Sequence, residues 1–289
     1  MQQSPPGDGS DQAKTAQARL ISLRGVSVAR AEKTVVHDVS LQIWPGQMTV
    51  LIGPNGCGKS TLLKTIARLL PPASGQILIG DRPLAGLGGR EAARQMALLP
   101  QSPVTPEGLR VRDLVALGRH PHRSLMRAWS QHDDRAIDRA MAETNTTALA
   151  NRPAEALSGG QRQRAFIAMV LAQETGILML DEPTTYLDLS VQMEIMAILA
   201  RRARAGATVL VVLHELNLAA AFADRIVMMR DGRIRADGPP GEVMTADNLA
   251  DIFGLTAQII PDPLTGRPVC LPRDEADIPK TATPGIATP

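Results

Sequence analysis

Residues Gly53-Pro54-Asn55-Gly56-Cys57-Gly58-Lys59-Ser60 fit the pattern G-x-x-x-x-G-K-[ST] and lie between an apolar run, Met48 to Ile52, and a stretch of helical periodicity. Glycines let the chain wrap tightly, so that successive backbone N–H groups point inward at phosphate oxygens, reinforced by the positive end of the following helix. In such a cradle Lys59 reaches the β- and γ-phosphates of ATP, the Ser60 hydroxyl binds Mg²⁺, and Thr61 belongs to the same nucleotide-binding set. Cys57 fills a variable position, a bystander whose thiol would make the loop sensitive to thiol reagents.

Two further stretches carry chemistry. Ile177-Leu178-Met179-Leu180-Asp181-Glu182 is an apolar strand that delivers a carboxylate to the edge of a sheet. There Asp181 can join the Mg²⁺ shell, and Glu182, just past the strand, can align and polarise a water as general base. A lone Asp-Glu pair would read as a helix cap; beside the cradle it reads as catalytic. Leu157-Ser158-Gly159-Gly160-Gln161 precedes a helix and offers a second anion site, with Ser158 as cap and the amides of Gly159 and Gly160 bare. On its own it is an ordinary Ser/Gly cap. One chain with two phosphate sites and one set of catalytic groups instead predicts a head-to-tail dimer of two copies closing over two ATP molecules.

The elements that must position these groups follow from periodicity. Leu20 to Leu23, Val26 to Val28 and Val39 to Ile43 partly alternate and break at Trp44-Pro45-Gly46, an antiparallel β portion. After the cradle, Leu62, Leu63, Ile66, Leu69 and Leu70 predict a helix that runs to Pro71-Pro72. From about Pro103 to Ala156, short helical stretches rich in Ala, Arg and Asp form a helical insertion. It includes Arg119-His120-Pro121-His122-Arg123 and Asp133 to Met141. Helices from Gly160 to about Ala172 and Val191 to Ala203 alternate with buried strands Ile177 to Leu180 and Thr208 to Leu213, the pattern of a parallel α/β sheet. The Gln/Ser/Pro/Gly-rich residues 1–18 predict a disordered tail, and residues 273–289 a flexible one.

Composition narrows the field. The 289 residues are 44% hydrophobic and only 2% aromatic, so the core is aliphatic and an aromatic platform for single-stranded nucleic acid is excluded. A net charge of +2 argues against a nucleic-acid partner. Two cysteines make no disulfide framework, which favours the cytoplasm. No stretch reaches the roughly 18 to 20 apolar residues of a membrane-spanning helix, so work at a membrane requires another chain to span it.

In order, the cradle, Gln101 in Leu98-Leu99-Pro100-Gln101-Ser102, the Leu157 to Gln161 stretch, Asp181-Glu182, Asp188 in Thr185-Tyr186-Leu187-Asp188, and His214 resemble the ATP-binding subunits of ABC transporters over about residues 20–272. Gly118-Arg119-His120-Pro121-His122, Ala168 to Thr175 and Val212-Leu213-His214-Glu215-Leu216-Asn217 look like the iron-siderophore importer ATPases of ferric-enterobactin type. The resemblance implies a P-loop ABC ATPase cassette at 19–272: a RecA-like parallel sheet core, an antiparallel β subdomain and a helical subdomain inserted at about 103–157. It implies that Gln101 contacts Mg²⁺ and the attacking water, that His214 bonds the γ-phosphate, and that Ser158, Gly159, Gly160, Gln161 and Asp188 serve the partner subunit's ATP.

It also implies a peripheral protein on the cytoplasmic face of the inner membrane that drives transmembrane permease subunits, with a periplasmic substrate-binding protein as indirect partner. Two departures stand out. Arg30 occupies the position of an adenine-stacking aromatic, where a guanidinium plane can also stack, and Glu215 replaces an Asp after His214. Arg119, Arg123 and Arg127, spaced by four, either face the membrane subunit or lipid head groups or form a solvated face. The alternatives are a soluble non-transport ABC-type ATP switch, weakened by a single cassette and a proline-broken insertion, and an importer ATPase for haem or cobalamin.

Overall fold

The computed structural model describes residues 19–105, 107–123 and 129–274. Arg127 and nearly all of the two expected tails lie outside the described residues.

Strands β1 (Ile21–Arg30) and β2 (Lys33–Ile43) form a hairpin. Strand β3 (Met48–Ile52) feeds the glycine loop and α1 (Lys59–Ile66). Then come β4 (Ser74–Ile79), β5 (Arg82–Pro83), α2 (Gly89–Gln95) and β6 (Met96–Leu99). Helices α3 (Val111–Ala116) and α4 (Gln131–Glu143) lead to α5 (Gly159–Ala172). Strand β7 (Ile177–Asp181), α6 (Leu189–Arg204), β8 (Thr208–Val212), α7 (Leu216–Phe222), β9 (Arg225–Arg230) and β10 (Arg233–Gly238) follow. The described chain ends with α8 (Pro240–Val243), α9 (Ala246–Phe253) and the hairpin β11 (Ala257–Pro261) and β12 (Pro268–Pro272).

The central sheet has the order β10-β9-β3-β8-β7-β6; all neighbours are parallel except the β9–β10 edge pair. Its inner strands β3, β7 and β8 are buried at every residue, as strands covered on both faces must be. Alternation sends their side chains to two cores. Leu178, Leu180, Val209 and Val211 pack with Phe166, Ile195 and Leu199 of α5 and α6. Met179, Leu210 and Val212 pack with Leu62, Leu63 and Ile66 of α1 and with Ile21, Val26 and Ile43 of the antiparallel sheet β2-β1-β4-β5. The helix behind the cradle is thus clamped between two sheets. Among the described residues no helix is long and apolar enough to cross a membrane.

Three expectations are corrected. Helix α1 stops at Ile66 rather than running to Leu70, and Leu69 is exposed. Arg68 adopts a left-handed φ of 62°, its N–H donates to Thr65 O at 3.1 Å, and Leu69 N donates to Lys64 O at 2.8 Å. This is a Schellman closure with arginine where glycine is usual, so the helix ends before the prolines. Arg273 is tied down: its N–H donates to Thr256 O at 2.9 Å and its guanidinium to Gln258 at 2.7 Å.

Arg119 faces neither membrane nor solvent. It is 1% exposed, with Nε donating to Asp133 Oδ1 at 2.9 Å and Nη1 to Ala172 O at 2.7 Å and Glu174 Oε2 at 2.8 Å. Asp133 also closes a capping box with Ser130 at the start of α4. The arginine therefore bolts the α3–α4 region to the carboxyl end of α5. Gly118 beside it passes so close to α5 that a Cβ would lie 2.1 Å from Met169 O.

Candidate functional site

Four neighbouring strands end at one edge of the central sheet, and each delivers a side chain there: β3 the cradle, β6 Gln101, β7 Asp181 and Glu182, β8 His214. This is the carboxyl edge where open α/β sheets hold ligands. The cradle itself is tightly seated. A Cβ on Gly53 would lie 2.2 Å from Met229 O of β9, so only glycine lets the loop leave the sheet there. Lys59 is 4% exposed, and its Nζ donates to Gly53 O at 2.8 Å and Pro54 O at 3.0 Å, which fixes the cation inside the loop.

Ser60 Oγ donates to Asp181 Oδ1 at 2.7 Å. The other oxygen, Asp181 Oδ2, is buried with no hydrogen-bond partner; Lys64 Nζ lies 3.9 Å away, too far to bond. Burial pushes the Asp181 carboxyl up, against the Ser60 hydroxyl and the Lys64 and Lys59 cations. A buried carboxylate with an orphan oxygen beside a hydroxyl fits a hard divalent cation that takes oxygen ligands.

Glu182 has a left-handed φ of 52°, a conformation that costs roughly 1 kcal/mol or more in a non-glycine residue. The turn is enforced by its N–H, which donates to Val212 O at 3.1 Å, and it aims the carboxylate along the sheet edge. Its Oε1 lies 2.5 Å from His214 Nε2, and its Oε2 accepts from Gln101 Nε2 at 2.7 Å and Thr185 Oγ1 at 3.4 Å. At 9% exposure, this carboxylate is held from three sides with a preset orientation.

The remaining candidates stand apart. Ser158 and Gln161 form a reciprocal capping box on α5: Ser158 Oγ accepts from Gln161 N at 3.3 Å, and Gln161 Oε1 accepts from Ser158 N at 3.2 Å. Gly159 is exposed, and Gly160 packs against Val191. Asp188 occupies the N-cap position of α6 with no side-chain cap bond, exposed at a surface it shares with Tyr186 and Leu189. Arg30 ends β1, exposed opposite Lys33 at the hairpin tip.

Cys57 needs a correction. It is 5% exposed, and burial pushes its thiol up despite Lys59, so the loop carries a shielded, protonated thiol in place of a reagent-sensitive one. Sequence reasoning also missed Thr185 and Gln163. The Gln163 Nε2 donates to Pro183 O at 2.7 Å and ties α5 to the turn that carries Glu182. Neither residue belongs to a spacing pattern that would have marked it.

A phosphate cradle between strand and helix, with a hydroxyl, two carboxylates, an amide and an imidazole at one sheet edge, defines a P-loop nucleotide-hydrolase site. The ABC transporter family model matches residues 36–185. The chain is 44% identical over 255 residues to the petrobactin import ATP-binding protein FpuD of Bacillus anthracis, covering 88% of this chain and 93% of that protein. It is 44% identical over 253 residues to the ferric enterobactin transport ATP-binding protein FepC of Escherichia coli, covering 86% and 93%. A dimeric bacterial ABC transporter cassette superposes with a TM-score of 0.68 at 28% identity, over 76% of this chain and 98% of that one. The chain belongs to the ABC transporter family, among its ATP-hydrolysing subunits.

Proposed function

We propose that this protein is the ATPase subunit of an importer for an iron(III)–siderophore complex, peripheral on the cytoplasmic face of the inner membrane. In this reading it works with transmembrane permease subunits and a second copy of itself. The observation that carries the catalytic reading is the Glu182 carboxylate held between His214 and Gln101 beside the Ser60–Asp181 pair. The names of its relatives, one for petrobactin and one for ferric enterobactin, support the cargo class.

In this reading residues Gly53 to Thr61 wrap the phosphates, Lys59 turns from the loop carbonyls to the β- and γ-oxygens, and Arg30 stacks on adenine. Ser60, Asp181 and Gln101 would hold Mg²⁺, which supplies charge neutralisation along the phosphates. Glu182 accepts a proton from the attacking water as the new O–P bond forms and the bond to the leaving ADP oxygen breaks. His214 steadies that carboxylate and donates to the γ-phosphate. Ser158, Gly159, Gly160, Gln161 and Asp188 meet the nucleotide held by the second copy, so ATP completes the dimer and hydrolysis releases it. The cassette then spans 19–272 with its helical subdomain at about 103–157.

Glu182→Gln tests this directly. The amide keeps the shape and can still bond Gln101 and His214, so nucleotide binding persists and a dimer accumulates with ATP on size exclusion. Hydrolysis falls by about 10² to 10⁴. A Glu182→Gln protein that turns over at the native rate refutes the role of Glu182. For the cargo, deletion of this subunit should abolish uptake of labelled ferric siderophore, and unaffected uptake refutes the assignment.

A further inference from the structure

We infer that Asn217 and Arg267 are positioning residues for hydrolysis: they fasten the C-terminal hairpin onto α7 and so hold His214 against Glu182. The inference rests on the catalytic reading of His214 and Glu182 given above.

Helix α7 has seven residues, too few to be stable alone, and its N-cap residue Glu215 supplies no side-chain cap. The hairpin β11–β12 grips it at both ends. In the first turn Asn217 Nδ2 donates to Cys270 O at 3.1 Å, while Asn217 Oδ1 accepts from Cys270 N at 2.7 Å. The side-chain amide thus pairs with the β12 backbone like a rung of a sheet. In the last turn Arg267 Nη1 donates to Ala220 O and Ala223 O, each at 2.9 Å, a cation placed on the helix's terminal carbonyls.

The hairpin is itself firm. Asp262 Oδ1 accepts from Leu264 N at 3.0 Å and Thr265 N at 2.7 Å to close its turn, and Cys270 is buried in the same core as Leu218 of α7.

His214 lies between two backbone anchors. Before it, Leu213 N donates to Leu51 O at 3.1 Å; after it, α7 begins at Leu216. The imidazole is itself 35% exposed, so the chain on either side decides where it sits. Loosening α7 moves the ring off Glu182 and leaves the cradle intact, because Lys59, Ser60 and Asp181 belong to other elements. The consequence is selective: turnover and the His214 contact to the γ-phosphate suffer, while affinity for ADP, which has no γ-phosphate, does not.

The test compares ATPase kcat and ADP Kd in full-length Asn217→Ala, Arg267→Gln, His214→Ala and the double variant Asn217→Ala/His214→Ala. Asn217→Ala is expected to lower kcat about tenfold, less than the roughly hundredfold that an ångström of misplacement can cost, with Kd unchanged. Asn217→Asp, which keeps the acceptor for Cys270 N and loses the donor, should fall between. The double variant should be no slower than His214→Ala, since a residue that acts only through the imidazole has nothing left to position. Should Asn217→Ala fold poorly, Arg267→Gln carries the same cycle from the other end of α7. Native kcat in both Asn217→Ala and Arg267→Gln, or losses that multiply with that of His214→Ala, overturns the inference and leaves the catalytic reading standing. Native kcat in His214→Ala itself overturns the catalytic role of His214, and this inference with it.

Discussion

Arg119→Met should destabilise the protein by about 4 kcal/mol without touching a residue of the nucleotide site. The guanidinium is 1% exposed and gives Asp133, Ala172 O and Glu174 their hydrogen bonds from the α3–α4 side. Methionine fills much of its volume, so little cavity is created. What remains is the Asp133 carboxylate, 3% exposed, with Ser130 for company, and an Ala172 carbonyl without its donor. Breaking a buried ion pair costs about 3 to 5 kcal/mol, and most of the carbonyl's penalty is part of the same loss. Glu174 keeps His132 and Arg139, so its share is small.

At about 2 to 4 °C per kcal/mol for a chain of this size, the thermal midpoint should drop by roughly 10 °C. The double variant Arg119→Met/Asp133→Leu removes both buried charges and should recover at least half of the loss. Thermal and urea unfolding followed by circular dichroism read both. A change in Arg119→Met below about 0.5 kcal/mol, the behaviour of a solvated side chain, would refute the bolt and return Arg119 to the surface.

Burial alone would push the Asp133 carboxyl up, but the Ser130 hydroxyl and the Arg119 guanidinium overcome it and hold it at about 2. A depressed folded value stabilises above the unfolded pKa near 4 and is lost as pH falls toward 2. The free energy of unfolding should therefore decline across that window, by about 2 kcal/mol in all, and Asp133→Asn should flatten the decline. Lys59→Ala should weaken nucleotide binding by about 10- to 100-fold, the worth of one or more hydrogen bonds from a charged donor; unchanged affinity by fluorescent-nucleotide titration refutes the cradle. Gly118→Ala must push α5 away at Met169 and should cost about 1 to 3 kcal/mol in urea unfolding, with a native midpoint as the contrary result.

What was legible in the sequence was local. The cradle spans eight consecutive residues, and the all-apolar strands β7 and β8 announce their own burial, so both could be placed from spacing alone. The convergence of Gln101, Glu182 and His214 was implied by the family resemblance and not by spacing: β6, β7 and β8 are neighbours, and that adjacency is written in no short stretch. Arg119 misled for the same reason. Its charge and its repeat of four suggested a surface, while its partners sit on α4 and just beyond α5. The early end of α1 was hidden because arginine rarely takes the left-handed place at a helix end. The C-terminal hairpin escaped notice because Pro261 and Pro268 flank a polar turn in a stretch with little alternation.

The loop after Glu182 carries one more consequence. The chain has a single tyrosine, Tyr186, and it stands fully in solvent with a left-handed φ of 61° between Glu182 and Asp188. The protein therefore has one phenolic address. A tyrosine-directed reagent modifies it at one place only, and the rate of that modification reports whether anything has come down over the turn that holds the Glu182 carboxylate.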